Sequence, residues 1–217
     1  MRIGIIGSGE VGQSLGRGFA TLGHNVMLGS RTPDSDKVQA WVKETEGETS
    51  AGTFRDVAHF GEIVVLATLW AGTENAVELA GADTLAAKII IDVTNPMDFS
   101  HGMPPFLTHG TNDSGGEQVQ RWLPDSKVVK AFNIVNSADM VNPDYPSGTP
   151  DMYIAGDHAD AKIKVAEICK QFGWERVTDL GDLSGARHME ALANFWVHLA
   201  LVRGGAWRQA FSLLTKD

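Results

Sequence analysis

The stretch Arg2-Ile3-Gly4-Ile5-Ile6-Gly7-Ser8-Gly9-Glu10-Val11-Gly12 opens the chain, and its reading decides the fold. Arg2 to Ile6 is a short apolar run of the kind that forms a buried strand. From about Glu10 to Leu22 the residues Val11, Leu15, Phe19 and Leu22 recur at helical spacing on one face, and Gly23 is a natural stop. Between the two elements lies Gly7-Ser8-Gly9-Glu10-Val11-Gly12, a match to G-x-G-x-x-G. The pattern gains meaning from its place, directly after a strand and at the start of a helix. Gly7 permits the tight turn, Gly9 lets backbone approach a pyrophosphate, and Gly12 lets helix and sheet pack closely. The unpaired N–H groups at the helix start then favour an anion.

Working outward, strands and helices alternate. Strands are expected at Asn25–Gly29, Thr49–Gly52, Glu62–Ala67, Lys88–Val93 and Lys127–Ala131. A second helix is expected from Pro33 or Asp34 to about Glu46. That alternation predicts an α/β fold, a doubly wound parallel Rossmann sheet. A loop from about Asn95 to Gly116, rich in Gly, Pro, Ser and His, is long enough to be functional. Pro143 to Pro150 reads as a linker. Beyond it a small C-terminal part is expected, with strands at Met152–Ala155 and Trp174–Leu180. Its helices should cover Ala159–Phe172 and about Gly185–Leu214. The division is therefore a dinucleotide-binding domain over 1–145 and a smaller domain over 146–217.

The end of the second strand selects the dinucleotide. NAD sites usually carry Asp or Glu there for the ribose 2′-hydroxyl. This chain has Gly29-Ser30-Arg31-Thr32. A hydroxyl and a guanidinium suit a 2′-phosphate, so NADP(H) is the expected cofactor. Glu10, a carboxylate inside a phosphate loop, must either turn away or meet ribose hydroxyls.

In a doubly wound sheet ligands bind beyond the carboxyl ends of the strands. Those ends supply Thr68-Leu69-Trp70, Asn95-Pro96 and Asn133, which should surround the nicotinamide half. Asn95 and Asn133 can bond a carboxamide or the second substrate, with Asn133 a candidate positioning group. Trp70 can be a platform for a flat ring. His101 and His109 lack the neighbours of a metal site, and none is expected. No lysine lies on the last helix before Lys216, and nothing resembles dedicated proton-transfer machinery. Hydride passage between two flat rings needs mainly positioning.

The bulk numbers agree. The net charge is −9, which disfavours nucleic acid and anionic membranes as partners. The single cysteine, Cys169, excludes an internal disulfide and fits a reducing compartment. The longest apolar stretch, Ala191 to Val202, is interrupted by Asn194 and His198. It falls far short of the ~20 residues that span a bilayer, and a cytoplasmic location without a signal peptide is expected.

Taken together, Gly7–Gly12, Gly29-Ser30-Arg31, Thr68-Leu69-Trp70, Lys130-Ala131-Phe132-Asn133 and Leu183-Ser184-Gly185-Ala186-Arg187 resemble the coenzyme F-420-dependent NADP oxidoreductase family. The same series is similar to the cytosolic NADPH-binding domain of the STEAP-type ferric reductases. The resemblance implies a homo-oligomeric enzyme that moves hydride between NADPH and a deazaflavin, or a conventional flavin. It implies that Ser8, Glu10, Val11, Ser30 and Arg31 contact NADPH, and that Ser184 and Arg187 border the acceptor pocket. Asn133 stands where the archaeal enzymes carry His, and Leu69 where they carry Pro. The Lys-Ala-Phe-Asn string is closer to the ferric reductases. The last helix is apolar nearly all round, through Met189, Leu192, Phe195, Trp196, Leu199, Leu201, Val202, Trp207 and Phe211, which predicts a dimer interface. A reductase of a small carbonyl or imine, and an NADPH sensor without turnover, are the alternative readings.

Overall fold

The computed structural model describes residues 1–216. Eighteen strands and helices follow in order: β1 (Arg2–Ile6), α1 (Glu10–Thr21), β2 (Asn25–Gly29), α2 (Asp36–Glu44), β3 (Thr49–Gly52), α3 (Phe54–Phe60), β4 (Ile63–Leu66), α4 (Thr73–Ala80), α5 (Ala82–Leu85), β5 (Ile89–Asp92), β6 (Met97–Asp98), β7 (Phe106–Leu107), α6 (Gly115–Trp122), β8 (Lys127–Lys130), β9 (Asp151–Ile154), α7 (Ala159–Gln171), β10 (Arg176–Asp179) and α8 (Ala186–Val202). Six strands form one parallel sheet in the order β3-β2-β1-β4-β5-β8. This is the doubly wound α/β architecture. The order reverses between β1 and β4, so the helices that follow on either side leave a crevice there.

Strands buried on both faces read as continuous apolar runs, and side chains alternate between the faces. In β1, Ile3 and Ile5 join α1, α2 and α7 through Leu15, Phe19, Val38, Trp41 and Phe172. Ile6 faces the other way, with Val64, Leu66, Ile90 and Val128, toward α3, α4 and α6. Each buried aliphatic side chain of this kind contributes about 1.5–3 kcal/mol. The two layers therefore hold the sheet from both sides.

The register lines up the carboxyl ends. Gly52, Gly29, Ile6, Leu66, Asp92 and Lys130 are successive partners across the six strands. Every loop expected to bind ligand thus leaves the sheet from one edge.

Past the sheet, β9 and β10 form a parallel pair, and Ala155 makes an antiparallel bridge to Lys130. The apolar residues of this part enter the same core: Phe172 packs on Phe19 at 4.8 Å and on Phe132 at 5.9 Å.

Three sequence expectations change. The second helix begins only at Asp36, with Ser35 as its N-cap. The long loop holds a two-residue hairpin, β6 with β7, and gives way to α6 at Gly115. The last helix stops at Val202, not near Leu214, because Gly204 and Gly205 take left-handed backbone at φ 70° and 89°. Trp207 and Phe211 therefore lie on an extended tail, pinned by Trp196 Nε1 donating to the Gln209 carbonyl (2.8 Å) and by Asp151 N–H donating to the Phe211 carbonyl (2.9 Å). Nor is α8 buried all round. Met189, Ala193, Val197 and Ala200 are buried, whereas Phe195 is 49% and Val202 64% exposed. No described helix is long and apolar enough to cross a membrane.

Candidate active site

At the switch point a cleft of about 960 Å³ opens beyond the strand ends. One end is the β1–α1 turn. Gly7 has φ 122°, and a Cβ there would lie 2.3 Å from the Ala67 carbonyl oxygen. A Cβ on Gly12 would sit 2.0 Å from the Gly7 carbonyl oxygen. Both positions demand glycine because backbone crosses backbone. Gly9 differs: a Cβ there would meet nothing within 4 Å, and its backbone is extended at φ −74°. The space beside Gly9 is open to the cleft. No side chain caps α1 at Gly9, so its first N–H groups face the cleft unpaired, which fits an anionic pyrophosphate.

Beside the turn stand Ser30, Arg31 and Thr32 at the end of β2. Ser30 Oγ accepts from Thr32 N–H at 3.1 Å and from Ser8 Oγ at 3.3 Å. Its own hydrogen is left to donate. Arg31 is exposed and takes part in no ion pair among the described residues, so its guanidinium faces open space. Glu10 also lines the cleft and is exposed. The buried Phe54 closes this end.

The opposite end is built by Ala67, Thr68, Leu69 and Trp70 after β4, by Val93, Thr94 and Asn95 after β5, and by Met97 and Phe99 of the hairpin. Trp70 stacks on Trp122 at 5.6 Å and meets His109 edge-on at 5.2 Å. Thr68 Oγ1 lies 2.9 Å from Thr73 Oγ1. Asn95 donates from Nδ2 to the Asn133 carbonyl (2.8 Å), and Asn133 Nδ2 donates to Asn95 Oδ1 (3.0 Å). This clasp leaves the buried Asn133 Oδ1 without a partner.

The expected residues mostly converge. Gly7, Ser8, Gly9, Glu10, Val11, Ser30, Arg31, Thr32, Thr68, Leu69, Trp70 and Asn95 line the cleft. Gly12 lies beneath it as a packing position. The Pro96 carbonyl faces the hairpin, accepting from Thr108 N–H (2.8 Å) and Oγ1 (3.1 Å). Asn133 reaches the cleft through Asn95. Ser184 and Arg187 stand outside it: Ser184 N–H donates to Asp182 Oδ1 (3.0 Å), and Arg187 Nε donates to Glu117 Oε2 (2.8 Å). The Arg187 guanidinium also holds the Glu117 carboxyl below the usual carboxylate range. Arg187 thereby ties α8 to α6, while Ser184 bonds only within its own turn.

Sequence reading missed Phe54, Asn75, Met97 and Phe99 in the lining. It also missed a buried ion cluster behind the cleft. Lys130 Nζ donates to Asp92 Oδ2 (2.8 Å) and the Thr94 carbonyl (2.7 Å), and lies 2.7 Å from Glu190 Oε1. All three ionic side chains are 0–3% exposed. Burial alone would pull the ammonium down, but Asp92 and Glu190 outweigh it and hold its pKa above the usual lysine value. Asp92 and Lys130 are cross-strand partners, a pairing that β5 and β8 do not announce locally.

Open glycine turn, hydroxyl and guanidinium beside it, and an aromatic far wall define a dinucleotide-dependent oxidoreductase. Residues 2–96 match the family model described as NADP oxidoreductase, coenzyme F-420-dependent. A crystal structure from Arthrobacter sp. FB24, designated a candidate F-420-dependent NADP reductase, superposes with TM-score 0.93. The two chains are 39% identical, with 99% of this chain and 100% of that one covered. The F-420-dependent NADP reductase of Methanothermobacter thermautotrophicus is 28% identical over 92% of this chain and 89% of its own length. The metalloreductase STEAP3 of Rattus norvegicus is 31% identical over 88% of this chain, which spans only 36% of that protein. The chain belongs to the coenzyme F-420-dependent NADP oxidoreductase family and is an NADP(H)-dependent oxidoreductase.

Proposed function

We propose that the chain passes hydride between NADP(H) and a flat deazaflavin or flavin-like ring seated against the Trp70–Phe99 end of the cleft. One observation carries this reading. Among the described residues lining the cleft, the charged side chains are Glu10 and Arg31, both at the glycine-turn end. The lining of the far end is aromatic and aliphatic, with amide and hydroxyl groups but no titratable side chain; His109 touches Trp70 from outside that lining. Reduction of a carbonyl or imine needs a proton delivered to the reacting atom. A conjugated ring spreads the incoming charge and needs chiefly a stacked partner.

NADPH supplies the hydride when bound. The α1 N–H groups would hold its pyrophosphate, Ser30 and Arg31 its 2′-phosphate, and Glu10 ribose hydroxyls. Thr68 and Asn95 would fix the carboxamide, with Asn133 steadying Asn95. Leu69, Trp70, Met97 and Phe99 would exclude water from the stacked rings. The names of the archaeal reductases support a deazaflavin acceptor, and those of the metalloreductases keep a flavin in view. NADPH oxidation should be followed with coenzyme F-420, FMN and a cyclic imine offered separately. Turnover with F-420 or FMN is expected; turnover with the imine alone would overturn the reading.

The same proposal includes a cytoplasmic homodimer. The buried free thiol of Cys169 suits a reducing compartment. Phe195 and Val202 on α8, with Leu213 and Leu214 on the tail, form exposed apolar surface suited to a second copy. Light scattering at micromolar concentration should give twice the chain mass, and Phe195→Glu should give one chain. A monomeric wild type would remove the dimer.

A further inference from the structure

The buried cluster of Lys130, Asp92 and Glu190 is costly. Taking three charges out of water is repaid only by close geometry, and removing one partner leaves an uncompensated buried charge. Its hydrogen bonds lead to the far end of the cleft. Asp92 Oδ1 accepts both the Thr94 N–H (2.9 Å) and Thr94 Oγ1 (2.7 Å). Lys130 Nζ takes the Thr94 carbonyl. Both backbone groups of Thr94, which lines the cleft beside Asn95, are thus fixed by the cluster.

The cluster reaches the facing wall as well. Glu190 accepts the N–H groups of Gly115 (2.9 Å) and Gly116 (3.0 Å). Gly115 packs so closely on Trp70 that a Cβ would lie 3.0 Å from the indole ring, and 3.2 Å from Glu190 Oε1. Trp70 is therefore backed by a residue that Glu190 holds in place. One ammonium sits at the junction of both walls.

We propose that Lys130 is a positioning residue for hydride transfer: with Asp92 and Glu190 it sets the distance between the Thr94–Asn95 wall and the Trp70 wall. This rests on the reading of the cleft as the NADP(H) site. The dinucleotide is anchored mainly at the glycine turn and Arg31, away from the cluster. Loss of the cluster should then spare affinity and damage the stacked geometry. A misplacement of about 1 Å can cost ~100-fold in rate.

The test is the full chain carrying Lys130→Met with Asp92→Asn, which keeps the net buried charge and leaves Glu190 of α8 its hydrogen bonds from the Gly115 and Gly116 N–H groups. Three readouts are taken: NADPH dissociation constant by fluorescence, kcat with a working acceptor, and amide hydrogen exchange over residues 92–97 without ligand. The expected result is NADPH affinity within about twofold, kcat lower by about tenfold or more, and faster exchange at Thr94. Wild-type kcat at saturating NADPH, or affinity lost in proportion to kcat, would overturn the proposal. Should the double variant fail to fold, Glu190→Asp retains every charge and retracts the carboxylate by one methylene. It is expected to show the same split, and an unchanged kcat would again overturn it. Arg31→Ala separates the two readings. If it binds NADPH like wild type, the cofactor reading fails; if it loses NADPH while the Lys130 variant turns over normally, only the positioning role fails.

Discussion

Gly9→Ala should leave the melting temperature of the ligand-free protein unchanged and weaken NADPH severely, whereas Gly12→Ala should damage both. At Gly9 the backbone is extended at φ −74° and the added methyl meets no atom within 4 Å, so nothing in the folded chain resists it. The methyl instead occupies the place where phosphate must approach the α1 N–H groups. Each hydrogen bond to a charged group contributes about 1.5–3 kcal/mol. Losing two of them weakens NADPH by roughly two to four orders of magnitude. At Gly12 the methyl would stand 2.0 Å from the Gly7 carbonyl oxygen, a backbone atom that can yield only if the whole turn moves. Overpacking of this kind costs about 3 kcal/mol or more. At this chain length that lowers the melting temperature by roughly 6–12 °C. Calorimetry on both variants, with an NADPH titration alongside, checks the pair. If Gly9→Ala bound NADPH like wild type, the glycine turn would not hold the pyrophosphate.

The second large effect falls on cofactor choice. Arg31→Ala should weaken NADPH by roughly one to two orders of magnitude and leave NADH within about twofold. Arg31 is exposed and makes no ion pair among the described residues, so its removal costs the fold little. Ser30→Asp should go further and reverse the preference. A carboxylate at that position repels the 2′-phosphate and accepts from a 2′-hydroxyl. Because Ser30 Oγ accepts from the Thr32 N–H, an aspartate can keep that bond and preserve the turn. Equal losses for NADPH and NADH in Arg31→Ala would place the 2′-phosphate elsewhere.

Much of this was legible in the chain because parallel strands buried on both faces leave uninterrupted apolar runs. β1, β4, β5 and β8 lie within a residue or two of their expected ends, and the glycine motif fixed where β1 meets α1. What escaped was either short or non-local. The β6–β7 hairpin pairs only two residues per strand, and α6 opens on two glycines with a mostly polar sequence after them. Neither leaves a periodic signal. Gly204-Gly205 was a readable stop for α8, but the apolar residues beyond it continued the helical spacing by coincidence. Phe54, Met97 and Phe99 come to the cleft from elements whose direction depends on tertiary packing. The ion cluster was the least legible. Glu190 stands on a helix among apolar neighbours, and its partner Lys130 lies on a strand 60 residues earlier. Only the fold brings the two charges together.

The most direct test is single-turnover kinetics with NADPH carrying deuterium at the transferred C4 position, using coenzyme F-420 and FMN in separate reactions. Direct hydride transfer across the cleft predicts that at least one ring is reduced, and more slowly with the deuterated cofactor; with F-420 the label should appear on the reduced ring carbon. Bound NADPH that reduces neither ring, or F-420 reduced with the label found only in solvent, would contradict the account.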